Sequence, residues 1–357
     1  MLIKNGLMDK VNDEKVMDSD QMRELFKREY KIQNGNRKIL YIHTPYCNGK
    51  CRFCICPSIS CKTLQEPIDF VKEVFPTQVR QYHDILEEVS FDEVYFGGGT
   101  PTLLSDTIWE EVFNQIPNFD QIPIKSFESS PDTLAFEHLE LLKKYHFSYL
   151  SFGVQSLNKE ICRWQNRKYI RPEELKYISS VLRDNNMYFN VDLICYLGAG
   201  DLTDLPDFQK DLEFIMKECK SSSITIHQHL QSRFTCEKTQ YLMKLIKEML
   251  QKYPEYECIN SELQDEDVYE DTVYRAEYRL ICGKREFRNY MFKKYPSVPM
   301  EGCDVLALGY IPNKVSVKSN ADNLLYLPAK NQLERIEFDH ELLVKEQNIR
   351  RNKGLLE

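Results

Sequence analysis

Short apolar runs alternate with longer amphipathic stretches over most of the chain. The short runs are rich in β-branched and aromatic residues, which is typical of strands, and cover residues 39–43, 93–96, 125–128, 149–154, 188–194 and 223–227. The longer stretches have helical patterns and cover residues 67–89, 106–115, 133–145, 172–186, 204–219 and 236–252. Because strand and helix alternate, the pattern predicts parallel βαβ units. Six such units fit an α/β fold, an open, partial (β/α)6 barrel.

The alternation occupies only the middle of the chain, so we expect three regions. Residues 1–37 are polar and charged, with one predicted helix at 19–30, and form an N-terminal extension. Residues 38–253 form the partial barrel. Residues 254–357 form a smaller C-terminal region that covers the substrate. In that last region the apolar runs lie at 278–281 and 305–310, and the highly charged stretch 333–357 is typical of a helix or a loose tail.

Unusual residues follow the predicted strands at their carboxyl ends, where barrels of this kind carry their chemistry. Five cysteines follow the first strand: Cys47, Cys51, Cys54, Cys56 and Cys61. Three consecutive glycines, 97–99, follow the second strand. Polar side chains mark the next three strands, namely Glu128, Gln155 and Asp192. Because the carboxyl ends of parallel strands share one edge, we expect these residues to form one site.

Composition and charge disfavour several classes of protein for this chain. The formal net charge is -8, which disfavours a broad basic surface for nucleic acid or anionic membrane. No run approaches the roughly 20 apolar residues that a membrane span needs. Lys4 and Asp9 interrupt the N-terminal apolar residues, so no signal peptide is predicted. We therefore expect a cytoplasmic protein that acts without nucleic acid or membrane. In that reducing compartment, closely spaced cysteines indicate metal binding rather than disulfide bonds.

The first three crowded cysteines have the spacing C-x3-C-x2-C. Three close thiolates on one loop can hold three irons of a cubane cluster, which leaves the fourth iron open to a chelating substrate. A zinc site is the alternative, with Cys56 as a fourth ligand. Zinc sites more often take their ligands from two separated pairs, so the spacing favours the cluster.

The run YIHTPYCNGKCRFCIC, residues 41–56, resembles the opening motif of radical S-adenosylmethionine (SAM) proteins related to oxygen-independent coproporphyrinogen III oxidase and the HemW-type haem chaperones. Further elements of this HemN-like branch follow in the same order up to about Tyr310. They are GGGTP at 97–101, FESSP at 127–131, SFGVQS at 151–156, the arginine of QNRKY at 165–169 and DLI at 192–194.

The resemblance implies a [4Fe–4S] cluster held by Cys47, Cys51 and Cys54, with Cys56 outside the ligand set. It implies one or two SAM molecules bound by Gly97, Gly98, Gly99, Thr100, Glu128, Gln155, Arg167 and Asp192. It also marks as catalytic candidates Tyr41, His43 and Glu128. Arg167 can hold a carboxylate bidentately, with Arg163 as its rival, and packing explains His43 as well as catalysis does.

Two departures from the family pattern bear on function. The sequence DLICYLGAG at 192–200 replaces the family's D-L-I-Y-G-L-P-G-Q, and Arg288 stands where the chaperones have a histidine. The altered loop favours a small-molecule or natural-product substrate other than coproporphyrinogen, and Arg288 argues against haem transfer. By resemblance to class C methyltransferases, we expect two-SAM methyl or methylene transfer with C–C bond formation. The alternatives are single-SAM hydrogen abstraction with oxidation, decarboxylation or rearrangement, and a haem chaperone. The expected reductant is a low-potential flavodoxin or ferredoxin.

Overall fold

A computed structural model describes residues 17–18, 37–54, 58–61, 63–195, 205–228, 236–258, 277–282, 303–309, 315–318, 323–327 and 332–336. Its strands are β1 (Met17–Asp18), β2 (Arg37–Thr44), β3 (Tyr46–Cys47), β4 (Ile59–Ser60), β5 (Glu93–Gly98), β6 (Ile124–Ser129), β7 (Tyr149–Gln155), β8 (Tyr188–Cys195), β9 (Ser223–Gln228), β10 (Tyr256–Cys258), β11 (Glu277–Cys282), β12 (Cys303–Gly309), β13 (Val315–Lys318), β14 (Asn323–Leu327) and β15 (Gln332–Ile336).

The helices lie mainly between the central strands. The α-helices are α1 (Gln65–Asp69), α2 (Phe75–Gln81), α3 (His83–Glu88), α4 (Asp106–Phe113), α5 (Phe136–Lys144), α6 (Lys159–Trp164), α7 (Pro172–Asp184), α8 (Leu205–Phe214) and α9 (Cys236–Lys252). Two π-helical turns, Phe70–Val74 and Ile215–Cys219, continue α1 and α8. Short 3₁₀ turns occur at Pro101–Leu103 and Phe119–Gln121.

Six parallel strands form the centre of the molecule, in the order β2-β5-β6-β7-β8-β9. Each contains one of the six predicted apolar runs, so the predicted βα rhythm is confirmed. At one side β12 adds a further strand parallel to β2, and at the other side β11 pairs with β9 in the antiparallel sense. The carboxyl ends of all six central strands therefore share one edge, which places the residues that follow them close together.

An aromatic cluster packs α4 against the outer face of the central strands. Phe96 and Phe127 extend from β5 and β6, and the Trp109 ring lies 5.4 Å and 5.0 Å from theirs. All three rings are essentially buried, so they contribute a large share of the apolar area removed from water. The indole Nε1 of Trp109 also donates to the Pro101 carbonyl at 2.9 Å. The core thereby fixes the segment that follows the glycines of β5.

The structure departs from the sequence predictions in three places. The predicted helix at 67–89 is interrupted by a π-helical turn and again at Tyr82. Helix α6 was not predicted, because it has only six residues and too little length for a periodic pattern. The prediction of a helix or loose tail at 333–357 is wrong over β15, which pairs antiparallel with β14 and with β1. The helix predicted at 19–30 lies outside the described residues.

None of the described helices combines the length and the apolar character needed to cross a bilayer.

Candidate active site

The cysteine loop begins at the carboxyl end of β2 and is closed at its base. Strand β3 pairs in parallel with β4, so the loop leaves and returns at neighbouring positions. The Ile59 N–H donates to the Pro45 carbonyl at 2.7 Å, and the Cys61 N–H donates to the Cys47 carbonyl at 3.0 Å. These bonds fix Cys47 at the rim of the sheet edge.

The other side of the loop is anchored to the end of α6. The Arg52 N–H donates to the Gln165 carbonyl at 2.9 Å, and the Asn166 side chain donates to the Lys50 carbonyl at 2.9 Å. The Cys51 thiol lies 3.6 Å from the Asn166 carbonyl. The middle of the loop is thus tied to the βα unit of β7, on the far side of the site from β2.

The cysteines Cys47, Cys51 and Cys54 form no disulfide, and all three are half-buried. Burial raises the pKa of the Cys47 and Cys51 thiols. The Cys54 thiol is close enough to raise both pKa values further, while the positive charge of Arg167 opposes the rise. Thr100 donates to the Cys47 sulfur at 3.5 Å, which favours its thiolate. Three neighbouring thiols beside one guanidinium suit a metal group that binds cysteines in their ionised, thiolate form.

The arrangement of the thiols bears on which metal group they fit. Within the described part of the chain, no three His, Cys, Asp or Glu side chains converge on one point as the ligands of a single metal ion do. A cubane cluster takes one thiolate at each of three different irons, so its ligands surround a group instead of meeting at one ion. The three thiols of the loop match the number of protein ligands that such a cubane takes. Cys56, the fourth ligand in the zinc alternative, lies outside the described residues.

The glycines after β5 allow two chain segments to pack closely. Gly98 has a φ of +118°, and a Cβ there would lie 2.6 Å from the Thr44 carbonyl oxygen and 2.8 Å from the His43 ring. A Cβ on Gly99 would lie 2.5 Å from the Tyr46 carbonyl oxygen. The glycines thus let the end of β5 pack on the start of the cysteine loop. Their predicted approach to SAM stays a prediction.

Glu128, at the end of β6, has both carboxylate oxygens hydrogen-bonded. The Tyr95 hydroxyl donates to Oε1 at 2.5 Å, and the Gly98 N–H donates to Oε2 at 3.0 Å. A Cβ on Gly97 would lie 2.9 Å from Oε2, so glycine is needed there for the carboxylate to fit. Each carboxylate oxygen has a further lone pair, and the side chain is only partly buried, so Glu128 can still accept from a cationic group.

Tyr41 and His43 extend from β2 beside this carboxylate. The Tyr41 hydroxyl lies 3.0 Å from His43 Nδ1, and the Tyr41 and Tyr95 rings are 5.8 Å apart. His43 is buried against Gly98, whereas Tyr41 is half-buried. The two catalytic candidates and Glu128 therefore belong to one connected group, and the burial of His43 also agrees with a packing role.

Gln155 occupies an irregular position at the end of β7. The pairing with β8 shifts there, because Gly153 pairs with Asp192 and Gln155 with Leu193. Gln155 has a φ of +71°, a left-handed conformation that a Gln rarely adopts. Its Oε1 is buried and has no hydrogen-bond partner. A strained residue with an unsatisfied buried acceptor is typical of a position shaped for a ligand.

Arg167 links this irregular position to the cysteine loop. Its guanidinium donates to the Gly153 carbonyl and hydrogen-bonds the Cys51 thiol. Arg163, its rival in the sequence, is exposed on α6. Within the site it is therefore Arg167 that lies between the thiols and the end of β7.

A buried polar network that sequence reasoning missed holds Asp192. The Asn190 amide donates to Asp192 Oδ1 at 2.6 Å and to Ser151 Oγ at 3.1 Å. Its oxygen accepts from Ser223 at 2.9 Å and from Thr225 at 3.0 Å. One asparagine thus connects β7, β8 and β9 and orients the Asp192 carboxylate. Its polar side chain within an apolar strand, two residues before Asp192, was the available signal.

Tyr95 was also missed. The feature of the sequence that could have identified it is the alternation of side chains along a strand, which puts Tyr95 on the same face as Gly97. The predicted site residues lie in or directly after β2, β3, β5, β6, β7 and β8, except Arg167, which follows α6. Their individual roles toward a cluster or SAM remain predictions.

Comparison with known protein families identifies the class of this site. The profile of the radical SAM superfamily matches residues 41–194, which run from β2 to β8 and include all three thiols and the glycines. Residues 41–194 therefore form a radical SAM domain. This superfamily uses a [4Fe–4S] cluster and SAM as its cofactors. The three cysteines outside disulfides and the unsatisfied Gln155 oxygen fit such groups.

Within this superfamily the chain is homologous to coproporphyrinogen oxidase-like proteins. It is 31% identical over 208 residues to the oxygen-independent coproporphyrinogen III oxidase of Helicobacter pylori strain J99, which covers 56% of this chain and 44% of the relative. It is 25% identical over 181 residues to the heme chaperone HemW of Buchnera aphidicola subsp. Schizaphis graminum, covering 50% of this chain and 47% of the relative. The chain thus spans less than half the length of these curated relatives.

The fold has a counterpart among solved structures. The coproporphyrinogen III oxidase HemN of Escherichia coli, a radical SAM enzyme, has a TM-score of 0.68 at 16% identity, covering 87% of this chain and 71% of that chain. The α/β fold class predicted from the sequence is confirmed as a HemN-like radical SAM fold.

Proposed function

We propose that this protein is a radical SAM enzyme that cleaves SAM reductively and uses the resulting radical to modify a small molecule. The observation that supports it most is the position of the three cysteine thiols. They lie between Thr100 and Arg167, at the same strand edge as Glu128. The thiols that would bind the cluster therefore lie next to side chains that could bind the amino and carboxylate groups of SAM.

The thiolates of Cys47, Cys51 and Cys54 would hold the [4Fe–4S] cluster. When bound, the cluster supplies one electron that cleaves SAM to methionine and a 5′-deoxyadenosyl radical. Arg167 lowers the cost of gathering three thiolates, because its charge favours the ionised form of Cys47 and Cys51. The anchors at both sides of the loop keep the thiols in place before the cofactors bind.

The remaining residues would bind and orient SAM. Glu128 would accept from the ammonium of the methionine moiety, because Tyr95 and Gly98 hold its carboxylate in place. Arg167 would pair with the methionine carboxylate. Gln155 and Asp192 would bind ribose hydroxyls, and Gln155 would thereby satisfy its buried oxygen.

Tyr41 and His43 would act on the substrate side of the site. The Tyr41 hydroxyl and His43 Nδ1 share a hydrogen bond, so the pair can hold one proton close to Glu128. Such a pair can donate or accept a proton as the substrate changes its charge.

For the outcome of the radical reaction we propose two-SAM methyl or methylene transfer with C–C bond formation. The support is the class C methyltransferase-like resemblance and the altered segment 192–200. In this reaction the second SAM ends as S-adenosylhomocysteine, whereas single-SAM hydrogen abstraction yields none. A reduced low-potential flavodoxin or ferredoxin would supply the electron.

The test is product analysis under anaerobic conditions. The reconstituted protein is reduced with dithionite, given SAM, and its products are quantified by mass spectrometry. Methionine and 5′-deoxyadenosine are expected, and S-adenosylhomocysteine as well if two SAM molecules are used. 5′-Deoxyadenosine without S-adenosylhomocysteine in the presence of substrate would contradict methyl transfer. Intact SAM, together with a Soret shift on titration with haemin, would favour a haem chaperone instead.

A further inference from the structure

A group of exposed basic side chains lies beside the cysteine loop. They are Lys50 and Arg52 on the loop itself and Arg163 and Lys168 at the end of α6, here called the basic rim. Within the described residues none of the four takes part in an ion pair. The loop segment 45–54 contains no acidic residue, and the segment 159–171 contains only Glu160. In a chain of net charge -8, four basic side chains thus lie together here, and their acidic neighbours are Glu160 and Asp132, which accepts from Asn48 of the loop.

The two halves of the basic rim are joined directly at the thiols. The Lys50 carbonyl accepts from Asn166, the Arg52 N–H donates to Gln165, and the Cys51 sulfur lies 3.6 Å from the Asn166 carbonyl. The basic rim therefore borders the side of the loop where Cys51 approaches the surface. Electrons that enter there have a short path to a group held by the thiols.

Trp164 adds an exposed apolar side chain next to Arg163. It ends α6 between Arg163 and the anchors of the loop, and 51% of its surface is exposed. An exposed Trp among Arg and Lys side chains is typical of the centre of a protein–protein interface, where aromatic and Arg residues contribute most of the binding energy.

We propose that the basic rim and Trp164 form the docking face for a small acidic electron-transfer protein. This inference rests on the proposed function, because it names the partner of the same site. One electron passes from the reduced carrier to the oxidised cluster, so the carrier is oxidised and the cluster reduced by one electron each. Charge complementarity supports this occupant, since opposite potentials steer association and orient the partner.

The experiment measures binding and SAM cleavage separately. The holoprotein is titrated with an acidic bacterial flavodoxin and an acidic ferredoxin at low and high salt. The test variant is R163E/K168E. The matched control is K143E/K220E, which makes the same charge change on exposed lysines that precede β7 and β9, at the opposite end of the strands. SAM cleavage driven by dithionite is measured for all three proteins.

The wild type and the control variant are expected to bind one of the carriers, more weakly at high salt. R163E/K168E is expected to bind at least about tenfold more weakly, with unchanged dithionite-driven cleavage and cluster content. Equal carrier affinity of both variants would overturn the proposal. The proposal would also be overturned by a wild-type protein that binds neither carrier, or by one that binds a single-stranded oligonucleotide instead of a carrier. Loss of dithionite-driven cleavage in the wild type would contradict the proposed function and not the docking face.

Discussion

The Tyr95 hydroxyl donates to Glu128 Oε1 at 2.5 Å, while the Gly98 N–H holds the other oxygen of that carboxylate. Neither Tyr95 nor its role follows from the motifs around it. The bond joins β5 to β6 at the strand edge and leaves the carboxylate a single orientation. Tyr95 is therefore a positioning residue for Glu128.

Replacing Tyr95 by Phe should weaken SAM binding about tenfold or more. A hydrogen bond to a charged group contributes about 1.5–3 kcal/mol, and about 1.4 kcal/mol corresponds to a factor of ten. Calorimetric titration of the reconstituted protein with SAM measures this. The control is Y145F, which also removes a bond from a Tyr hydroxyl to a carboxylate, that of Glu110, but on the outer helices. Equal weakening in both variants would mean that Tyr95 has no specific role.

Each of the substitutions C47A, C51A and C54A should prevent assembly of a complete [4Fe–4S] cluster and stop SAM cleavage. Visible absorbance together with iron and sulfide analysis after reconstitution measures the cluster. The control is C56A, which should keep a full cluster. A complete cluster in any of the three ligand variants, or none in C56A, would refute the ligand assignment.

Replacing Gln155 by Gly should raise the free energy of unfolding by about 1 kcal/mol and weaken SAM binding. The left-handed conformation at φ +71° is strained for Gln but not for Gly, and the buried Oε1 without a partner disappears. Urea unfolding and SAM titration measure the two effects. K220G relieves a similar conformation at φ 52° away from the site, so it should gain stability and keep SAM affinity. Unchanged SAM affinity in Q155G would remove Gln155 from the binding site.

Asp211, on α8, accepts from Ser156 Oγ at 2.8 Å and from the Leu157 N–H at 2.9 Å, directly after Gln155. Burial raises the pKa of this carboxyl from 3.8 to about 6. A raised folded-state pKa contributes stability that is present below the unfolded value and is lost as pH rises through about 6. Relative to D211N, the wild type should therefore lose about 1 kcal/mol of unfolding free energy between about pH 5 and pH 7.5.

Urea unfolding of the wild type and D211N at the two pH values measures this loss. The control is D207N, because the Lys210 hydrogen bond lowers the pKa of Asp207 and keeps it ionised throughout the window. A stability difference between wild type and D211N that does not change with pH would contradict the raised pKa.

The central fold was predictable because most of the parallel strands are largely buried and show in the sequence as short runs rich in β-branched and aromatic residues. Strand β15 was not predictable from the sequence, because its pairing with β14 and β1 depends on contacts between distant segments. Its own residues also include charged ones, which are not typical of a strand. Motif spacing located the thiols, Glu128 and the glycines. The left-handed Gln155 and the Asn190 network depend on the register of β7, β8 and β9, which no local pattern encodes.

The most direct test of the central claim is electron paramagnetic resonance of the reconstituted, dithionite-reduced protein with and without SAM. If Cys47, Cys51 and Cys54 leave one iron open at the edge beside Glu128, SAM should change the spectrum of the reduced cluster, and 5′-deoxyadenosine should accumulate. E128A should lose most of the spectral change and retain the cluster. An identical spectrum with and without SAM, with SAM recovered intact, would contradict this account of the site.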